Sequence, residues 1–232
     1  MWPMASTETV AQLVQLSSIV EKADGTLIAE AERPSRVGIV LSGTIVATWS
    51  APDGRIVYVG LFGAGQFIGL SALSGGPNAT GIDALTKVTV LAWPSHEFRA
   101  ITDSDAAVSL DLLDLSNYAI QVLNHLIKLR TFTTAASRLA GLLLQYEAFC
   151  FSGEAPLIGR GQLSALAGVT PQMVNRILRK WEAAAIVRRV GASGLELLDR
   201  SALEAEAAPL QDFPAPAPTS HLASRIPRLW DR

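Results

Sequence analysis

Short apolar runs alternate with turn residues over the first ninety residues of the chain. Glycines at 43, 54, 65 and 75 are spaced 11, 11 and 10 residues apart, and the runs between them are rich in β-branched and aromatic side chains. Many short strands at this spacing are typical of a sandwich or a barrel-like roll. A weak helical pattern over 8–20 precedes them. The predicted strands are 38–41, 44–49, 56–61, 66–68 and 88–93.

Residues 104–130 contain no glycine or proline, and their apolar side chains recur at helical spacing. Leu113, Ile120 and Ile127 lie seven residues apart, with Leu123 between the last two. This apolar stripe predicts a long helix that packs on the same helix of a second chain. The alternative is a helix that packs only on its own sheet. The apolar residues beside the stripe could make that contact while the stripe faces outward.

The remainder of the chain contains shorter helical segments and one hairpin pattern. Helices are predicted over 134–151, 161–167 and 171–185, and strands over 186–190 and 195–198. The four residues between these strands are small and include two glycines, as expected for a β-hairpin. The Pro/Ala-rich stretch 213–218 predicts a flexible tail over 206–232.

The most informative segment is 162–178, where two short helices are separated by a turn. Gly168 stands where a tight turn requires a positive φ. Thr170 is a good N-cap, and Pro171 suits the first position of a helix. This arrangement predicts a helix-turn-helix.

The second helix of this motif presents polar side chains at i, i+3, i+4 and i+7, namely Gln172, Asn175, Arg176 and Arg179. Amides can pair with adenine edges, and guanidiniums can pair with guanine or with phosphate. We therefore expect Gln172, Asn175 and Arg176 to contact bases, and Thr170 and Arg179 to contact the DNA backbone. The alternative is an ordinary amphipathic helix with a polar solvent face.

The hairpin after this helix carries two consecutive arginines, Arg188 and Arg189. Beside a helix-turn-helix, such a hairpin is expected to form a wing that grips the DNA backbone through both guanidiniums. The alternative is that these are two arginines on an exposed hairpin without a role in binding.

Charge is distributed unevenly, although the 232 residues sum to only −2. Residues 1–129 carry 7 basic and 12 acidic side chains, 130–200 carry 9 and 5, and 201–232 carry 3 and 4, so the net charges are −5, +4 and −1. A basic segment behind an acidic one indicates separate domains and a local contact with a polyanion. The apolar content of 49% excludes a disordered chain.

Cysteine usage and hydropathy further narrow the possible classes of protein and of binding site. The single cysteine, Cys150, excludes an intramolecular disulfide framework, a Cys-based zinc site and a four-cysteine iron–sulfur cluster. It is either a small buried side chain or a redox-sensing thiol. The apolar run 139–151 is interrupted and too short to span a bilayer, and no signal peptide is visible. We expect a cytoplasmic protein.

A β-rich first half, a long central helix and a winged helix-turn-helix resemble the catabolite activator/fumarate–nitrate regulator (Crp/Fnr) family of bacterial transcription regulators. The similarity covers roughly 10–205 and is carried by 63–69, 77–85, 138–143 and the helix-turn-helix. It implies an α+β fold with an N-terminal cyclic-nucleotide-binding-like β-roll (jelly-roll). It also implies a homodimer formed through the central helix, a near-palindromic double-stranded DNA operator and RNA polymerase as a further partner. The expected domains are a sensor over 1–103, a dimerisation helix over 104–130, a DNA-binding domain over 131–205 and the tail.

The sensor half departs from its cyclic-nucleotide-binding relatives at both key positions. Where the relatives carry a glutamate for the ribose hydroxyl, this chain has Leu70, and their phosphate-binding arginine is replaced by Asn78. Without these groups the grip on a cyclic phosphate is lost, so cyclic AMP is not expected to bind. The position near the purine carries Asn124. The candidate effector pocket consists of Gly69, Leu70, Ser71, Asn78, Ala79 and Asn124.

Other effectors stay open, and the cofactor is unknown. A cyclic-nucleotide- or haem-responsive regulator of the same family is the alternative, with His96 and His125 as the candidate axial ligands in the sensor and central helix. An apolar effector, or none, also fits. A metal-dependent cupin-like enzyme would need histidines in the β-rich stretch, which has none up to residue 93. We therefore expect no catalytic residues, no resident metal and no enzyme activity.

Overall fold

The computed structural model describes residues 6–23, 27–29, 36–54, 56–74, 80–151 and 156–207. These residues fall into two compact units. The described residues of the first unit lie within 1–50 and 59–121, and those of the second within 51–58 and 122–207.

Two four-stranded antiparallel sheets dominate the first half of the chain. The first sheet has the order β1-β8-β3-β6, and the second has the order β2-β7-β4-β5. The strands are β1 (Ser18–Lys22), β2 (Leu27–Ala29), β3 (Arg36–Ser42), β4 (Ile45–Ser50), β5 (Ile56–Phe62), β6 (Phe67–Ile68), β7 (Gly81–Ala84) and β8 (Val88–Pro94). The five predicted strands are confirmed, while β1, β2 and β7 were not predicted.

Strand alternation divides the apolar side chains between two cores. On β8, Val88, Val90 and Ala92 pack between the sheets, whereas Leu91 and Trp93 face the helices. This follows from the two-residue period of a strand, because the first sheet is covered on both faces.

Helices cover the outer face of the first sheet. They are α1 (Thr7–Leu16), a 3-10 helix over Leu70–Ser74, α2 (Ser95–Thr102) and α3 (Ala106–Phe132). The Trp93 indole Nε1 donates a buried hydrogen bond of 2.6 Å to the carbonyl of Leu13 and so ties α1 to the sheet. The predicted helix over 8–20 is wrong beyond Leu16, since Ser18–Lys22 pairs with β8 instead. The long central helix is confirmed.

The second unit is mostly helical. Its elements are α4 (Ala135–Gln145), α5 (Glu147–Cys150), α6 (Leu163–Ala167), α7 (Pro171–Ala183), β9 (Val187–Val190), β10 (Gly194–Leu197) and α8 (Arg200–Ala207). The single helix predicted over 134–151 is wrong, because Tyr146 leaves the helical region with φ −107° and ψ 32°. The tail over 206–232 begins two residues too early, since α8 extends through Ala207. Its other residues lie outside the described part.

None of the helices in the described ranges is both long and apolar enough to cross a membrane.

Candidate nucleic-acid interface

The turn between α6 and α7 has the conformation that its residues favour. Gly168 adopts the left-handed conformation with φ 62° and ψ 39°. Thr170 is extended, and its hydroxyl accepts a hydrogen bond of 3.2 Å from the backbone N–H of Met173. Pro171 follows as the first residue of α7, where no N–H is needed. The predicted cap and turn are confirmed.

Helix α7 buries one side and exposes the other. The buried side carries Val174, Ile177, Leu178 and Trp181, which pack within the second unit. This separation of apolar and polar positions fixes the rotation of the helix about its axis.

The exposed face of α7 carries the four polar residues expected at the DNA. The side chains of Gln172, Asn175, Arg176 and Arg179 are all exposed. The Arg176 guanidinium lies 2.8 Å from the thioether sulfur of Met173. Among the described residues, no carboxylate forms an ion pair with Arg176 or Arg179. This face can therefore present two amides and two unneutralised guanidiniums to a polyanion.

Strands β9 and β10 form the predicted hairpin, with Arg188 opposite Glu196 and Arg189 opposite Leu195. The Arg188 guanidinium donates to the Glu196 carboxylate across the hairpin. The neighbouring Arg189 donates from its side chain and its backbone N–H to Glu182 near the end of α7. Sequence reasoning missed both carboxylates as partners of the wing arginines.

The Glu182–Arg189 pair has an electrostatic consequence. The hydrogen bond from the Arg189 side chain, followed by that from its backbone N–H, holds the pKa of Glu182 below its ordinary value. The carboxylate is therefore ionised throughout the physiological range.

The stripe on α3 is uncovered in the single chain. Leu113, Ile120, Leu123 and Ile127 are 54%, 54%, 42% and 64% exposed. The neighbouring positions Leu112 and Leu115 instead pack against the helix-facing core. The helix therefore contacts its own sheet through one set of residues and leaves the stripe free.

The candidate effector residues lie in different surroundings. Leu70 packs against the helix-facing core and not between the sheets. Gly69 has φ +79°, and a Cβ there would lie 2.4 Å from the carbonyl oxygen of Arg36. Ser71 is exposed on the 3-10 helix, and Asn124 is exposed on α3. Asn78 and Ala79 lie outside the described residues, so the pocket as a whole stays a prediction.

No cluster of three or more metal-ligating side chains occurs within the described ranges. His96 is largely exposed, with its Nε2 atom 3.8 Å from a carboxylate oxygen of Glu97. The side chain of His125 lies outside the described part. Burial raises the pKa of the Cys150 thiol to about 12.

Family comparisons agree with this arrangement. Residues 21–105 match the cyclic nucleotide-binding domain, and residues 137–206 match the Crp-like helix-turn-helix domain. The combination defines a class of DNA-binding transcription regulators that carry a cyclic-nucleotide-binding-like domain. Within that class, the chain belongs to the Crp/Fnr family of transcription regulators.

Solved structures share the fold at low sequence identity. A protein described as a Crp/Fnr-family transcriptional regulator from Eubacterium rectale superposes with a TM-score of 0.77 at 17% identity, covering 88% of this chain and 95% of that one. CLP from Xanthomonas campestris, a c-di-GMP-responsive global regulator, superposes with a TM-score of 0.69 at 18% identity, covering 84% of this chain and 100% of that one. FixK2 from Bradyrhizobium japonicum superposes with a TM-score of 0.67 at 19% identity, covering 87% of this chain and 99% of that one. No curated protein matches the sequence.

Proposed function

We propose that this chain acts as a homodimeric, sequence-specific transcription regulator whose sensor domain does not bind cyclic AMP. The observation that carries the proposal is the exposed polar face of α7, where Arg176 and Arg179 have no carboxylate partner among the described residues. A face of this composition suits base edges and phosphates together.

In the proposed complex, α7 enters the major groove of DNA. Gln172, Asn175 and Arg176 contact bases, because they lie on the exposed face of the first two turns. Thr170 and Arg179 flank them and contact the backbone, and the wing adds phosphate contacts. At a promoter, the regulator would also contact RNA polymerase. It would act in the cytoplasm, where the DNA lies.

Dimerisation supplies the second recognition helix. The proposal is supported by the exposed stripe of Leu113, Ile120, Leu123 and Ile127, since large apolar side chains in one line favour a matching surface. Two-fold symmetry then requires a near-palindromic operator.

The sensor proposal is supported by the side chain at residue 70. Leu70 offers no acceptor for a ribose hydroxyl, and it packs against the helix-facing core. A cyclic-nucleotide-responsive regulator is the alternative function. Calorimetry with cyclic AMP decides between them: we expect no binding at low-micromolar affinity, and such binding would refute the proposal.

DNA binding is tested with duplexes selected from a random library by the wild-type chain. Arg176→Ala is expected to weaken binding to the selected duplex by about 1–3 kcal/mol, roughly 5- to 150-fold, with the loss concentrated at one base pair per half-site. Arg179→Ala is the matched control, since a phosphate contact is lost equally on every sequence and lowers the salt dependence by about one unit of slope. The base-contact role is refuted if Arg176→Ala weakens selected and random duplexes equally. Failure of the selection to enrich any motif would refute sequence-specific binding.

A further inference from the structure

The two wing arginines have different surroundings although they are neighbours in sequence. The Arg189 backbone N–H lies 3.2 Å from one carboxylate oxygen of Glu182, and its Nε lies 2.8 Å from the other. Its terminal nitrogen donates to that second oxygen as well. The side chains are only 34% and 29% exposed. A fork of this kind, partly removed from water, holds the guanidinium in one orientation.

Arg188 forms a more exposed pair. Its guanidinium reaches Glu196 across the hairpin, and the two side chains are 62% and 44% exposed. Water and salt screen such a pair, so it contributes little and exchanges readily. A DNA phosphate can therefore replace Glu196 as the partner of Arg188 more easily than it can replace Glu182 as the partner of Arg189.

The turn of the wing is held from another side by Arg160. The backbone N–H of Arg160 donates to the carbonyl of Ser193 at 2.9 Å. Its guanidinium donates to the carbonyls of Gly191 and Gly194, each at 3.3 Å, and to that of Ala192. The wing is thus fastened at its turn by Arg160 and at β9 by Glu182.

We propose that Glu182 is a positioning residue for DNA binding, which holds Arg189 against the end of α7 and keeps that guanidinium away from phosphate. Arg188 is then the wing arginine that contacts the DNA backbone. This inference rests on the proposed DNA-binding function, and it replaces the backbone contact that the sequence predicts for Arg189.

The test measures binding of the full chain to a fluorescent random-sequence duplex at several salt concentrations. Arg188→Gln is expected to reduce the slope of log affinity against log salt by about one unit, and Arg189→Gln is expected to leave it unchanged. Glu182→Gln frees Arg189, so it is expected to raise the slope by about one unit and to increase affinity severalfold at low salt. The double variant Glu182→Gln/Arg189→Gln should lose both the steeper slope and the higher affinity.

Glu204→Gln is the matched control, because it removes one exposed carboxylate that pairs with Arg200 on α8. It should leave the slope unchanged, whereas a general effect of net charge would raise it. A merely structural role for Glu182 would lower affinity and would not steepen the salt dependence. If Glu182→Gln does not fold, as checked by circular dichroism, the comparison of Arg188→Gln with Arg189→Gln still tests which wing arginine contacts phosphate.

The proposal is overturned if Arg189→Gln lowers the slope as much as Arg188→Gln. It is also overturned if folded Glu182→Gln shows no gain over Glu204→Gln. In both cases the wild-type chain still binds DNA, so the proposed function stands. Absence of wild-type binding at any salt concentration would instead refute the function itself, and the positioning role with it.

Discussion

Replacing Ile120 with glutamate tests the proposed dimer at the middle of its apolar stripe. Ile120 lies between Leu113 and Ile127 on α3, and all three are more than half exposed in the single chain. A two-fold contact through this stripe would bring both copies of residue 120 into one seam. Ile120→Glu would therefore place two carboxylates together in apolar surroundings.

The exposed fraction of Ile120 sets the scale of the effect. Full burial of an isoleucine side chain contributes about 1.5–3 kcal/mol. Because 54% of Ile120 is exposed before association, the two copies together contribute about 2–3 kcal/mol to the dimer. The buried carboxylates add a cost of several kcal/mol. The sum, about 5 kcal/mol or more, corresponds to at least a 1000-fold weaker dimer.

Sedimentation velocity at micromolar concentration measures the outcome. The wild-type chain is expected at twice its mass of 24.6 kDa, and Ile120→Glu is expected as a monomer. Gln121→Glu is the matched control, since this exposed residue lies about 100° around the same helix. It should leave the dimer intact. A dimeric Ile120→Glu variant at the same concentration would show that the stripe is not the interface.

Three further predictions concern stability and thiol chemistry. Asp105→Asn should lower the free energy of unfolding by about 1 kcal/mol at neutral pH, because Asp105 accepts hydrogen bonds from Ser6, Thr9 and Ala107. Burial raises the pKa of Asp105, but these hydrogen bonds outweigh burial, so the pKa lies below its ordinary value. The stabilisation by the ionised carboxylate is therefore complete above the pKa of the unfolded chain and is lost on acidification. In denaturant titrations, the difference in unfolding free energy between Asp105→Asn and wild type should shrink below about pH 4. Ala185→Gly should stabilise the chain by about 1 kcal/mol, because Ala185 has φ 54°, and a lower midpoint of thermal unfolding would contradict this. Cys150, with its pKa at about 12, should react with a thiol reagent at neutral pH at least about 100-fold more slowly in the folded than in the unfolded chain, and equal rates would refute its burial.

Local features of the DNA-binding segment were predictable because each depends on a few adjacent residues. Gly168, Thr170 and Pro171 fix a turn, a cap and a first helical position without help from the rest of the fold. The hairpin after α7 has the same local character. Its strands begin and end within one residue of their predicted positions.

Elements that depend on distant partners were missed. Strand β1 has little intrinsic signal, and it forms because Ser18–Lys22 pairs with β8 some seventy residues later. The break at Tyr146 was also hidden, since the apolar pattern continues from α4 into α5. Periodicity reports which side of an element is buried but not which strand lies beside it.

The partners of the wing arginines were unpredictable for a related reason. Glu182 and Arg189 are seven residues apart, but a chain reversal separates them and includes Ala185 in the left-handed conformation. Only after this reversal does the carboxylate on α7 meet the guanidinium on β9. A helical spacing rule applied across this break would have no physical meaning.

In the β-rich first unit, the side chain at residue 70 contributes to the packing of the core. The family resemblance implies a glutamate at this position in cyclic-nucleotide-binding relatives, whereas the Leu70 side chain contacts the helix-facing core together with Leu73. A carboxylate in the same orientation would lie against apolar groups, where an unpaired charge is costly. The neighbouring Gly69 cannot accept a side chain without strain, since it has φ +79° and a Cβ there would lie 2.4 Å from the carbonyl oxygen of Arg36. Leu70→Glu would therefore introduce an unfavourable charge at this position. The apolar side chain at residue 70 therefore contributes to the stability of this domain, and its replacement by glutamate alone would reduce that stability.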